Sequence, residues 1–86
     1  MYQVTVGESI RRSLRKLSVK LRERLLRAVY ELEAGPRPPG CTKLTGQHDL
    51  YRIRVGDYRI VYRVNDERQL IEIVIIAHRR EVYRDL

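Results

Sequence analysis

The sequence predicts an α+β fold in which a helical hairpin covers one face of a short antiparallel sheet. Three observations predict it. Apolar residues recur at helical spacing through residues 8–34, the period switches to two from residue 48 onward, and a break rich in proline and glycine separates the two regimes. At 86 residues the chain is expected to be one domain spanning residues 1–86, with a small core.

Taken in order, Tyr2, Val4 and Val6 alternate with Gln3 and Thr5, which predicts an N-terminal strand ending at Gly7. Ser9 is the expected cap of a first helix carrying Ile10, Leu14 and Leu17 on one side and Arg11, Arg12, Arg15 and Lys16 on the other. Ser18 is the expected cap of a second. There Leu21, Leu25, Val29 and Leu32 form an i, i+4, i+8, i+11 stripe, widened by Leu26 and Ala28. Gly35 and Pro36 stop that helix, and the loop GPRPPG at 35–40 follows.

Beyond the loop, Tyr51, Ile53 and Val55 alternate with Arg52 and Arg54. Tyr58, Ile60, Tyr62 and Val64 alternate with Arg59, Val61 and Arg63. Gly56 and Asp57 form the turn between these strands, and Asn65, Asp66, Glu67 and Arg68 form the next. Residues 69–77 complete a three-stranded meander, and a short helix or tail ends the chain. Counting outward from Gly56 and Asp57 pairs Val55 with Tyr58, Arg54 with Arg59, Ile53 with Ile60, Arg52 with Val61, and Tyr51 with Tyr62. Directly opposed residues share a face. Tyr51, Ile53, Val55, Tyr58, Ile60 and Tyr62 therefore face the helices, joined by Ile71, Ile73, Ile75 and Ala77. Arg52, Arg54, Arg59 and Arg63 share the other face, joined by Leu70, Glu72, Val74, Ile76 and His78.

Charge narrows the partner class. Lysine and arginine number 18 against 11 acidic residues, for a formal +7, and 15 of the 18 are arginine. Arginine presents a planar fork that grips phosphate with two hydrogen bonds, so a polyanion is the leading partner class. Arg54 opposite Arg59 is a like-charged cross-strand pair, unfavourable unless an anion binds there. Val61, Val74 and Ile76 among these charges mark the face as more than a solvated surface. Cys41 is alone, so no internal disulfide and no Cys/His metal-ligand spacing exists. A cytoplasmic protein without signal peptide is expected, and no apolar run approaches the ~20 residues of a membrane span.

The strings KLTG at 43–46, HDLYRIRV at 48–55, GDYRIVY at 56–62 and AHRREVY at 77–83 resemble the RelE branch of the RelE/ParE toxins, in that order and at matching spacing. The resemblance is strong over residues 43–83, while the hairpin fits in layout only. It implies the toxin half of a type II toxin–antitoxin pair, a ribosome-associated mRNA endonuclease. In that family the RNA's own 2′-hydroxyl attacks the adjacent phosphate, with no metal or other cofactor. It implies as partners a cognate acidic antitoxin like RelB, mRNA in the ribosomal A site and ribosomal RNA.

Carried over by position, Arg52 and Arg54 match basic active-site residues on the first meander strand. Arg59 matches the arginine on the phosphate, Arg79 the basic residue after the last strand, and Tyr83 the tyrosine that stacks on a base. Lys43, Arg63 and Arg80 are expected peripheral RNA contacts. The best-known family member has lysine where Arg52 and Arg54 stand. Arginine does not give up a proton at useful pH, so proton transfer is expected from His78, with His48 and Tyr83 behind it. Two other readings remain open at this point. One is a DNA gyrase poison like ParE, against which Arg59, Arg79 and Tyr83 together argue; the other is a catalytically weak RNA-binding relative.

Overall fold

In the computed structural model, which describes residues 1–46 and 49–82, the chain forms β1 (Gln3–Val6), α1 (Glu8–Arg15), α2 (Val19–Glu31), β2 (Thr42–Lys43), β3 (Leu50–Val55), β4 (Tyr58–Asn65) and β5 (Leu70–His78). The class is the expected α+β, with the N-terminal strand and the meander in place and β2 as the additional strand. The strands make one five-stranded sheet in the order β1-β5-β4-β3-β2. β1 lies parallel to β5, and the remaining neighbours are antiparallel.

The helical hairpin forms as its periodicity requires. Ser18 caps α2, its Oγ accepting from the Leu21 amide at 3.2 Å. Ser9 does not cap α1, because the helix already starts at Glu8, with Gly7 at the cap and no side-chain cap bond. Leu14, Leu25, Val29 and Leu32 are buried with Ile53, Ile60, Tyr62, Val64, Ile71 and Ile73 in the main core. That core is the layer between the hairpin and the tyrosine/isoleucine face of the sheet, where the helices find an apolar surface to cover.

The β3–β4 register matches the sequence expectation at every pair, including Arg54 with Arg59. Gly56 adopts φ +59°. Of the two turn residues only the first has positive φ, the pattern of a type II′ hairpin turn. The β4–β5 register departs from expectation. Val61 pairs with Ile75 and Tyr62 with Ile73, so Val74 is an extra residue, a β-bulge.

The bulge inverts the faces of everything after it. Ile75 and Ala77, expected towards the helices, lie on the arginine face. Ile76 and His78, expected on the arginine face, turn towards the helices, since Ile60 pairs with Ile76 and Tyr58 with His78. Val74, Ile75 and Ala77 instead pack with buried Leu50, Val61 and Val82 in a second, smaller core on the arginine face. After β5 the chain turns, with the amides of Glu81 and Val82 both donating to the His78 carbonyl at 2.8 and 3.1 Å. That turn seats Val82 on the sheet with no exposed surface.

The proline-rich loop is fastened from both sides. The buried Tyr62 hydroxyl donates to the Pro36 carbonyl at 2.5 Å. Arg37 forms a two-pronged ion pair with Asp66 at 2.8 and 3.1 Å and lies over the Tyr51 ring, 4.9 Å from its centroid. The Tyr2 hydroxyl donates to the same carboxylate.

Candidate functional site

The face of the sheet opposite the helices carries the charge. Its rows follow from the pairing: Arg52 stands between Thr42 and Val61, Arg54 beside Arg59 and then Ala77, and Arg63 between Leu50 and Glu72. Three of the four arginines assigned to this face by alternation, Arg52, Arg54 and Arg59, thus gather towards the β3–β4 turn. Arg63 lies further along and is neutralised by Glu72, with Nη1 3.0 Å from Oε1. Glu72 therefore answers Arg63.

Arg59 is half-buried, and its Nη1 donates to the carbonyls of Gly56 at 3.0 Å and Tyr58 at 2.9 Å. The guanidinium is held against its own hairpin turn. Arg79, entering from the end of β5, reaches the same turn: its amide donates to the Asp57 carbonyl at 2.7 Å, and its Nε lies 3.9 Å from Asp57 Oδ1. Asp57, read from sequence only as a turn former, thus anchors a residue from another strand. Two arginines distant in sequence meet here through the backbone of one two-residue turn. Arg54 is exposed and Arg52 half-buried beside them.

The other expected residues divide. His78 is not part of this cluster. The bulge turns it to the opposite face, where its ring meets Tyr58 edge-on at 5.7 Å. There it lines a cleft of about 360 Å³ with Leu14 and Leu17, and its Nδ1 accepts from the Arg80 amide at 3.2 Å. Lys43 pairs with Tyr51 and so sits on the helical side at the sheet edge, exposed. Arg80 is exposed beyond Arg79. Tyr83 and His48 lie outside the described residues; Val82, the neighbour of Tyr83 in the chain, is buried on the arginine face. Among the described residues no group of three or more His, Cys, Asp or Glu side chains gathers as a metal ion would need. No helix among them is long and apolar enough to cross a membrane.

From sequence, Arg24 belongs with Arg11, Arg12, Arg15, Arg22 and Arg27 to the solvated face of the hairpin, a group open to contact with ribosomal RNA. From α2 its guanidinium comes to rest over Gly56, where an added Cβ would stand 3.2 Å from Nη1. Nothing in the sequence distinguishes Arg24 from the other cations of the hairpin, because only the packing of α2 on the sheet brings it to the turn.

Chemically, the cluster can bind an anion and stabilise negative charge that grows on it. Its arginines cannot exchange protons near neutral pH.

Comparison with known proteins agrees with this geometry. A family model described as the ParE toxin of the type II toxin–antitoxin system parDE matches residues 5–83. The chain is 32% identical over 88 residues to the mRNA interferase toxin RelE of Escherichia coli K12, covering 98% of this chain and 92% of that protein. It is 33% identical over 88 residues to toxin RelG of Mycobacterium tuberculosis, covering 96% and 97%. Among solved structures, the archaeal RelE–RelB complex from Pyrococcus horikoshii OT3 contains a chain that superposes with TM-score 0.80 at 34% identity, covering 91% of this chain and 94% of that one. The intact Escherichia coli RelBE complex gives TM-score 0.76 at 30% identity, covering 91% and 96%.

Proposed function

Because the chain belongs to the ParE toxin family, as a RelE-type toxin of a type II toxin–antitoxin system, we propose that it is an endoribonuclease that cuts mRNA in the ribosomal A site. The observation that carries this reading is the meeting of Arg54, Arg59 and Arg79 around one hairpin turn, with Arg52 on the same face.

In this reading the RNA's 2′-hydroxyl attacks the adjacent phosphate and the 5′-oxygen departs. The nucleophile belongs to the substrate, so the scheme calls on no metal. Arg59 and Arg79 grip the phosphate oxygens, and Arg52 and Arg54 stabilise the charge that builds on the phosphorane. Tyr83 stacks on a neighbouring base, a contact worth ~1–3 kcal/mol. Lys43, Arg63 and Arg80 touch flanking RNA, including ribosomal RNA, with Arg63 released from Glu72 to do so. Proton transfer falls to Tyr83 rather than His78, whose imidazole faces the helices.

An acidic antitoxin completes the system. The solved relatives named above include complexes of RelE with RelB, and a formal charge of +7 suits an acidic partner that neutralises the arginine face. The place of action is the cytoplasm, where ribosomes translate.

Primer extension on cellular mRNA after induction tests the reading. New 5′ ends are expected with the parent toxin, reduced on the order of 10²-fold or more in Arg59→Ala and Arg79→Ala, with the fold intact by circular dichroism. Undiminished cleavage in both variants would overturn the site. An SOS response without new 5′ ends would make the chain a gyrase poison.

A further inference from the structure

The turn between β3 and β4 gathers more charge than the catalytic reading uses. Arg59 is bonded to its carbonyls, Arg79 to Asp57, and Arg24 arrives from a third element, α2. The rotation of α2 is fixed by its buried stripe, since Leu25, the next residue, has no exposed surface. Arg24 is thereby delivered to Gly56. An added Cβ there would stand 3.2 Å from Nη1, 3.5 Å from Nη2 and 3.6 Å from Cζ, so the guanidinium approaches the glycine with its two terminal nitrogens foremost. With φ +59° as well, Gly56 serves the turn and leaves room for the guanidinium.

Arg24 has no visible reason of its own to be there. Among the described residues its N–H groups make no hydrogen bond and its charge meets no carboxylate within ion-pair distance. The one carboxylate on the turn, Asp57, leans towards Arg79. Ordering a long side chain costs conformational freedom, and placing it near Arg59 and Arg79 adds like-charge repulsion. A phosphodiester reverses both effects, since it supplies acceptors for unspent donors and a negative charge among positive ones.

We infer that Arg24 is a further phosphate ligand, binding the RNA backbone next to the scissile phosphate from the helical side of the turn. The inference rests on the RNA-cutting reading and adds a residue that the strand pattern does not contain. It makes the binding surface continuous from the sheet onto α2.

Salt dependence separates a phosphate contact from a structural one. Binding of a 2′-O-methylated RNA oligomer, which lacks the attacking hydroxyl, is followed by fluorescence anisotropy from low to moderate salt. Each phosphate contact on a single strand contributes about 0.7 to the slope of log K against log salt. Arg24→Ala is expected to flatten the slope by about 0.7, and Arg24→Lys to retain it, because lysine keeps the charge. Arg68→Ala, at the opposite end of β4, is expected to leave it unchanged.

An unchanged slope in Arg24→Ala, while Arg59→Ala and Arg79→Ala flatten it, would overturn this inference and leave the catalytic reading standing. Equal flattening by Arg68→Ala would reduce Arg24 to diffuse attraction and also overturn it. No flattening by Arg59→Ala or Arg79→Ala would bring down both.

Discussion

Replacing Arg54 by glutamine is expected to stabilise the fold and weaken the toxin at once. Arg54 and Arg59 are directly opposed on neighbouring strands, and no carboxylate pairs with either among the described residues. Like charges in this arrangement cost roughly 0.2–1 kcal/mol. Arg59 is drawn off towards the carbonyls of Gly56 and Tyr58, so the lower half of that range applies, about 0.2–0.5 kcal/mol. At ~4–8 °C per kcal/mol for a domain of this size, Arg54→Gln should melt about 1–4 °C higher. The gain should vanish in 1 M salt, where the screening length falls to ~3 Å. Cleavage should fall roughly 10- to 100-fold, the equivalent of one charge-assisted hydrogen bond of ~1.5–3 kcal/mol. Differential scanning fluorimetry at two salt concentrations and a primer-extension time course supply both numbers. A variant no more stable than the parent at low salt would refute the repulsion argument. A gain that survives 1 M salt would trace the effect to packing.

Two further outcomes test the frame that holds the site. Tyr62→Phe removes the hydroxyl from the buried Pro36 carbonyl and should cost about 1–3 kcal/mol in urea denaturation while leaving cleavage unchanged well below the melting point; a cost under ~0.5 kcal/mol would contradict a buried bond. The Arg37 guanidinium and the Tyr2 hydroxyl hold the Asp66 carboxyl below its ordinary value, so its stabilising contribution is complete above the usual carboxylate range near pH ~4 and is lost as pH falls through the depressed value. Asp66→Asn should therefore flatten the acid side of the melting-temperature profile, and curves parallel to those of the parent protein would show that the ion pair does not hold the loop.

What the sequence made legible follows from how strongly each segment alternates. β3 and β4 alternate arginine or asparagine with tyrosine, isoleucine or valine at nearly every step, so a one-residue slip would bury charge, and the register is readable from Gly56 outward. β5 is different. Leu70, Ile71, Ile73, Val74, Ile75 and Ile76 are apolar on both sides of the pleat, so nothing in the pattern marks which residue is extra, and the bulge at Val74 was invisible. β2 has only two residues, too few for a period. Val82 falls in the segment expected to be a short helix or tail, and only the second core shows it buried against the sheet. Arg24 could not be singled out because its significance lies in where α2 crosses the sheet.

The bulge also links these misses to the chemistry. By directing Val74 and Ile75 to one face, it builds an apolar floor beside the arginines on which Val82 docks. The same irregularity turns His78 away and packs its ring against Tyr58. A regular strand would place a histidine among the arginines but would withdraw Ile75 and Ala77 from the floor beneath Val82. The fold thus favours a docked Val82 over an imidazole on this face. The resulting face is rich in fixed positive charge, with Glu72 committed to Arg63 and Asp57 beside Arg79. Such a surface suits a reaction whose nucleophile comes with the substrate, and in which the protein's main contribution is to hold a phosphate and stabilise its growing charge.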